Sequence, residues 1–187
     1  TFSNCVTLVS ISMPTGVTHI GEHAFSHCSA LTELEIPYGI ASIEDFAFYY
    51  CSGLTSLTIP ETVVTLGEGA FRGCSALETL TILSGWTRVD TNAFYVCDNL
   101  TTVILPEGVT EIADSALSQK RKLVSINIPQ SVTTIGQRAF FHCESLEQIH
   151  IPDGVTIMGE FAFSGCENLV EIHIPDSITR IEAYTFS

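Results

Sequence analysis

Seven cysteines stand at positions 5, 28, 51, 74, 97, 143 and 166. Each interval is 23 residues or, across Lys120, twice that, and no cysteine lies off this column. The surrounding residues keep the same period. The stretch VTTIGQRAFFHCESLEQIHIP from Val132 to Pro152 returns as VTHIGEHAFSHCSALTELEIP from Val17, as VVTLGEGAFRGCSALETLTIL from Val63 and as VTIMGEFAFSGCENLVEIHIP from Val155. A fixed period of this length marks a solenoid, because one such unit cannot bury its apolar face alone and stacked units bury a continuous core. The 187 residues therefore read as one array, residues 1–187, of about eight 23-residue coils.

Within a unit, the columns specify local structure. Leu146, Ile149 and Ile151 have L-x-x-L-x-L spacing, and Ile149-His150-Ile151 alternates apolar with polar, the pattern of a strand. Equivalent triplets begin at Leu34, Leu57, Leu80, Val103, Ile126 and Ile172, which predicts parallel strands, one per coil. All seven prolines, at 14, 37, 60, 106, 129, 152 and 175, follow the strand, where a residue without an N–H ends the ladder and turns the chain. A short extended piece comes next, carrying Ile20, Ile43, Leu66, Val89, Ile112, Ile135, Met158 or Ile181; the pattern leaves open whether it forms a second narrow sheet. Ala139, Phe140, Cys143 and Leu146 then fall at i, i+1, i+4 and i+7, the face of a helix of one or two turns. Glu22, Asp45, Glu68, Asp114 and Glu160 precede this piece, where a helix N-terminus favours negative charge.

The cysteines can be read as disulfides, nucleophiles or metal ligands, or as a buried file of small apolar side chains. The last reading follows from the burial habit of free cysteine, from the odd count, and from parallel side chains that do not face one another as a disulfide requires. His27-Cys28 and His142-Cys143 resemble a base and nucleophile, yet adjacent residues on a helix diverge by about 100°. No phosphate-binding glycine loop, His-x-x-x-His pair or Ser/His/Asp set is present, so no catalytic residue, metal ligand or cofactor is assigned. His150 and His173 share one exposed strand column, a period apart, and read either as solvated side chains or as a metal- or pH-sensitive contact.

Composition narrows the partners. Twenty-one acidic against seven basic residues give a net charge of −14, which repels nucleic-acid backbones and anionic lipid and favours neutral or basic partners. No apolar run approaches a membrane span and nothing resembles a signal peptide. The chain opens at Thr1-Phe2-Ser3-Asn4-Cys5 and stops at Tyr184-Thr185-Phe186-Ser187, both in mid-repeat, which suggests a segment of a longer protein without its capping units.

The I-G-x-x-A-F-x-x-C-x-x-L-x-x-I-x-I-P pattern, as in Ile135 to Pro152, resembles the BspA-like class of leucine-rich repeats over the whole chain. The resemblance implies an α/β repeat solenoid, a right-handed superhelix with a parallel sheet on its concave face and short helices on its convex face. The common leucine-rich repeat has Asn or Cys three residues beyond the last strand Leu; Gly, Ser or Thr stands there here, so an asparagine ladder is missing. BspA-like proteins are typically bacterial or protozoan surface or secreted adhesins. The resemblance thus implies a non-enzymatic, extracellular or cell-surface module that binds a protein, such as a host extracellular matrix protein. The alternative is a structural spacer with no ligand of its own.

The candidate binding face is the set of exposed strand columns: Glu33, Glu35, Ser56, Thr58, Thr79, Thr81, Thr102, Ile104, Ser125, Asn127, Gln148, His150, Glu171 and His173. These columns contain no Trp, Tyr or Arg, the usual hot-spot residues, so a merely solvated sheet stands beside the binding reading. Two coils depart from the consensus. One has Leu83-Ser84-Gly85-Trp86 in place of the proline turn; the other has Leu117 for Phe, Lys120 for Cys and the basic run Lys120-Arg121-Lys122. Such coils mark either a contact site or drift in a tolerant array. Tyr49, Tyr50, Tyr95 and Phe141 form either an aromatic patch on the helical side or packing between coils. Asn99-Leu100-Thr101 is a glycosylation sequon only in a secreting eukaryote.

Overall fold

A computed structural model describes residues 1–83, 85–90 and 93–187. Ser84, in the stretch that replaces the proline turn, lies outside the described residues. The chain divides into two compact units, Thr1–Ser84 with Asn92–Leu100, and Gly85–Thr91 with Thr101–Ser187.

The first unit holds strands β1 (Ser10–Ile11), β2 (His19–Ile20), β3 (Glu33–Leu34), β4 (Ser42–Ile43), β5 (Ser56–Ile59), β6 (Thr65–Leu66) and β7 (Thr79–Ile82). The second holds β8 (Arg88–Val89), β9 (Thr102–Ile104), β10 (Glu111–Ile112), β11 (Ser125–Asn127), β12 (Thr134–Ile135), β13 (Gln148–His150), β14 (Ile157–Met158) and β15 (Glu171–His173). All pairing is parallel, and partners lie 23 residues apart: Leu57 opposes Leu80, and Val103, Ile126, Ile149 and Ile172 oppose one another in turn. The question left open by the sequence has an answer. The short extended pieces form a second sheet, β2-β4-β6 in one unit and β8-β10-β12-β14 in the other.

Alternation sets which side is covered. In β5, Leu57 and Ile59 are buried while Ser56 and Thr58 face outward. The proline turns form as expected: the carbonyls of Pro37, Pro60, Pro129 and Pro152 each accept the amide three residues on, from Ile40, Val63, Val132 and Val155. Ala139, Phe140, Cys143 and Leu146 are all fully buried, so the inward face expected of the helical piece is present.

The helix itself is absent, and no helix occurs among the described residues. The short helices expected on the opposite face are replaced by linked turns, for a reason that lies in the backbone. Arg138 and His142 both sit at φ 55°, in the left-handed region, which a right-handed helix excludes. The amides divide their work accordingly. Those of Arg138, Phe140 and His142 donate to the carbonyls of Glu160, Ala162 and Ser164 in the next coil, at 3.0, 2.8 and 2.8 Å. Those of Ala139, Phe141 and Cys143 close turns onto Gly136, Arg138 and Phe140, at 3.3, 3.1 and 3.2 Å. Every second donor is thus spent between coils, and the i to i−4 ladder of a helix has none left. The acidic residues in front of this segment also act between coils. Asp114 Oδ1 accepts the Gln137 amide at 2.7 Å and Asp45 Oδ1 accepts the Glu68 amide at 2.8 Å, rather than facing a helix terminus.

Beneath the turns phenylalanine rings stack, buried except for the exposed end members Phe2 and Phe186. Phe2, Phe25, Phe48, Phe71 and Phe94 lie nearly parallel in the first unit, with centroids 5.0–5.8 Å apart. Phe140, Phe163 and Phe186 do the same in the second, at 5.2 and 5.8 Å. Offset stacking at this spacing adds to the area buried.

Candidate functional site

The strand face brings most of the expected residues into rows. In the first unit Ser56 opposes Thr79 and Thr58 opposes Thr81, while Glu33 opposes Ser10. Glu35 is exposed and lies one residue past the end of β3. In the second unit one row runs Thr102, Ser125, Gln148, Glu171 and the next runs Ile104, Asn127, His150, His173. Directly opposed residues on a parallel pair stand about 4.8 Å apart, so each row offers a partner a regular line of side chains. Thr79 and Thr81 are half-buried and the rest of these residues face solvent. Ile104 is the apolar member, at 49% exposed.

His150 and His173 are direct partners in this register. No group of three or more His, Cys, Asp or Glu side chains is placed to hold a metal ion among the described residues.

The cysteines are free thiols, five of them buried and Cys5 and Cys166 half-buried. Their surroundings are the reverse of what a nucleophile needs. Burial pushes Cys143 up to about 12 and Cys51 up to about 12, and Cys166 to about 11. Cys74 is held well above the ordinary thiol range by a hydrogen bond shared with Cys97 together with burial. A nucleophilic thiol has a lowered value, and these four are raised instead. His142 therefore stands next to an inert thiol.

Lys120, in the cysteine column, is 2% exposed, with its Nζ donating to the carbonyl of Ser118 at 3.1 Å. Arg121 and Lys122 lie outside, and Arg121 pairs with Glu144 at 3.4 Å. The basic run is thereby divided between the core and the surface.

The aromatic residues are the part that sequence reading left unresolved. Tyr49 and Tyr50 meet edge to face at 4.5 Å, and His27 stacks on Tyr50 at 5.6 Å. Phe46 meets Tyr49 at 5.5 Å. The guanidinium of Arg72, not singled out by the sequence reading, lies over both Tyr49 and Tyr95, at 5.9 and 5.1 Å from the ring centroids. The signal was the period itself, since 49, 72 and 95 are one column. Phe141 belongs to the other unit and meets His142 at 4.2 Å.

Comparison with known proteins agrees with this architecture. The family model described as a BspA type leucine rich repeat region matches residues 1–124 and 110–187, in six copies. Among solved structures, a leucine-rich repeat protein from Eubacterium ventriosum is 26% identical with a TM-score of 0.79, over 94% of this chain and 45% of that one. A leucine-rich repeat protein from Bacteroides ovatus is 30% identical with a TM-score of 0.62, over 91% of this chain and 50% of that one. A leucine rich cell surface protein from Faecalibacterium prausnitzii is 28% identical with a TM-score of 0.51, over 100% of this chain and 59% of that one. The chain thus spans about half the length of these solved relatives. The comparison with curated proteins gives no match.

Proposed function

This chain belongs to the BspA-type leucine-rich repeat family, and from that premise we propose that it is the non-enzymatic binding part of a cell-surface or secreted adhesin. The family carries the coarser statement, a protein-interaction or scaffold role. The observation that favours binding is the set of unbroken rows on the strand face, above all Thr102-Ser125-Gln148-Glu171 and Ile104-Asn127-His150-His173. Polar side chains at fixed spacing, with Ile104 as an apolar anchor, suit a protein surface better than a small molecule. The net charge of −14 favours a neutral or basic partner over nucleic acid. No helix among the described residues is long and apolar enough to cross a membrane. Support for a surface location comes from the Faecalibacterium prausnitzii relative, described as a cell surface protein.

A host extracellular matrix protein is the partner to test. Immobilised fibronectin, laminin and collagen are offered the native chain and variants carrying Thr58→Asp, Thr81→Asp and Ile104→Asp. Capture that the substitutions abolish supports the proposal; no capture, or capture indifferent to them, removes it. The second reading, a spacer without its own ligand, is favoured by the lack of Trp, Tyr and Arg among the strand-face residues and predicts no capture at all.

A further inference from the structure

The turn side of the first unit carries what the strand face lacks. Tyr49, Tyr50, Arg72 and Tyr95 gather there with His27 and Phe46, and Tyr, Arg and their aromatic neighbours are the residue types that concentrate binding energy in protein interfaces. Tyr50 is 39% exposed and Tyr95 46%, so the cluster is open to solvent and not part of the core.

Arg72 is the unusual member. The chain has 21 acidic residues, and Arg88, Arg121 and Arg180 each pair with a carboxylate, at 2.7, 3.4 and 3.0 Å. Arg72 has no carboxylate within ion-pair distance among the described residues, and its Nε–H is buried without an acceptor. Arg138 also lies over a ring, that of Phe161 at 4.9 Å, but over one ring only and without an orphaned nitrogen. Two tyrosines hold the guanidinium of Arg72, so little rotamer freedom remains to be lost on binding. The residue is half-buried with its Nε–H closed off, so the donors a partner can reach are the terminal Nη groups, whose two N–H bonds present one edge to a planar acceptor. The main chain fixes the base of this side chain: the Arg72 amide closes a turn onto Gly69 at 3.0 Å, and its carbonyl accepts the Tyr50 amide at 2.8 Å.

We propose that the turn side around Tyr49, Arg72 and Tyr95 is a second docking surface, which receives a single side-chain carboxylate flanked by apolar residues on a partner protein that is neutral or basic overall, as the net charge of −14 favours. A guanidinium edge pairs with a carboxylate through two parallel hydrogen bonds, and the flanking tyrosines shield that pair from water. This surface lies on a different side of the coil from the strand rows, so it stands or falls separately from them.

The test is a titration followed by NMR at the Arg72 Nε–Hε group and the rings of Tyr49 and Tyr95. The probes are N-acetyl-Phe-Glu-Phe-amide, its Gln analogue and inorganic phosphate. The Glu peptide is expected to shift these signals saturably, with the Gln peptide and phosphate at least about tenfold weaker. Arg72→Lys and, separately, Tyr95→Ala are expected to weaken the Glu peptide by a similar factor, with native circular dichroism. Thr58→Asp with Thr81→Asp leaves the titration unchanged. Equal response to the Glu and Gln peptides, equal response to phosphate, or no saturable shift overturns the proposal. So does loss of the response in the strand-face variant, which would place the contact on the other side.

Discussion

The thiol of Cys51 donates to the carbonyl oxygen of Phe25, in the preceding coil, across 3.1 Å. The same bond joins Cys28 to Phe2, Cys74 to Phe48, Cys97 to Phe71, Cys143 to Leu117 and Cys166 to Phe140, at 3.1–3.5 Å. Cysteine is thus more than a small apolar filler in this column. It supplies a weak donor to a carbonyl that a methyl group would leave without that partner, while staying small enough for the column to stack.

These thiols make stability fall in alkali. Burial raises Cys51 and Cys143 to about 12, against 9.0 for an unburied thiol. The unfolded chain therefore loses these protons first, and between about pH 9 and 12 the folded state holds more of them. The stabilisation is complete below about pH 9 and is lost as pH rises toward 12. Urea midpoints measured from pH 7.5 to about 10.5 should decline, and Cys51→Ala should make the decline shallower. A slope unchanged by Cys51→Ala would mean that this thiol ionises equally in both states. In native protein at pH 8 a thiol reagent should react slowly with the buried five and, in denaturant, with all seven.

Gly136 is set by coil-to-coil distance. A Cβ built there would meet the Asp114 amide nitrogen at 2.5 Å and the Ala113 carbonyl carbon at 2.6 Å, both backbone atoms that cannot swing away. Gly136→Ala should therefore cost about 1–3 kcal/mol, the usual penalty of overpacking. At Gly154 the same methyl finds the Gln130 and Val132 oxygens at 3.5 Å, an ordinary contact. Gly154→Ala should change the denaturation midpoint by no more than about 0.5 kcal/mol equivalent. Equal costs at the two positions would show that loss of glycine, not approach of the neighbouring backbone, is what matters.

Phe48 lies between Phe25 at 5.1 Å and Phe71 at 5.0 Å and is fully buried. Phe48→Ala should cost about 3–5 kcal/mol, because a rigid stack cannot collapse into the space. Phe48→Leu copies the residue this chain itself carries at position 117, where Leu117 is also fully buried, and should cost under about 2 kcal/mol. Equilibrium unfolding of the two variants checks the order; a Leu variant as damaged as the Ala variant would mean that ring stacking outweighs volume.

The features readable from sequence were those that recur in every unit. The strand triplets, the proline turns and the buried Ala139, Phe140, Cys143 and Leu146 follow from the spacing of apolar side chains. Side-chain spacing could not reveal where the amides go. The same i, i+1, i+4, i+7 face is presented by a helix and by linked turns, and the left-handed residues decide between them. Those include Phe46, Tyr50, Val96 and Phe161, types that ordinarily avoid positive φ and give no warning in sequence. The strand rows were readable because register follows from the period. Arg72 was passed over because its role depends on two tyrosines one coil away on either side, a relation seen only when the columns are read for chemistry as well as for burial.

Lys120 is the sharpest departure from the column and allows a direct measurement. Its side chain is buried where other coils place a thiol, and its charge lies close enough to Cys143 to pull that thiol's value back down against the effect of burial. An ammonium keeps its charge in such a place only with hydrogen bonds, of which the one to the Ser118 carbonyl at 3.1 Å is visible, and it pays a desolvation cost that a thiol does not. Lys120→Cys restores the column residue and should raise stability by about 1–2 kcal/mol under reducing conditions, seen as a higher urea midpoint with an unchanged slope. The eighth thiol should be as unreactive in the native state as Cys143. A lower midpoint would show that the bonds made by the amine outweigh its desolvation, and that this lysine fastens the turn in a way the period of the chain does not supply elsewhere.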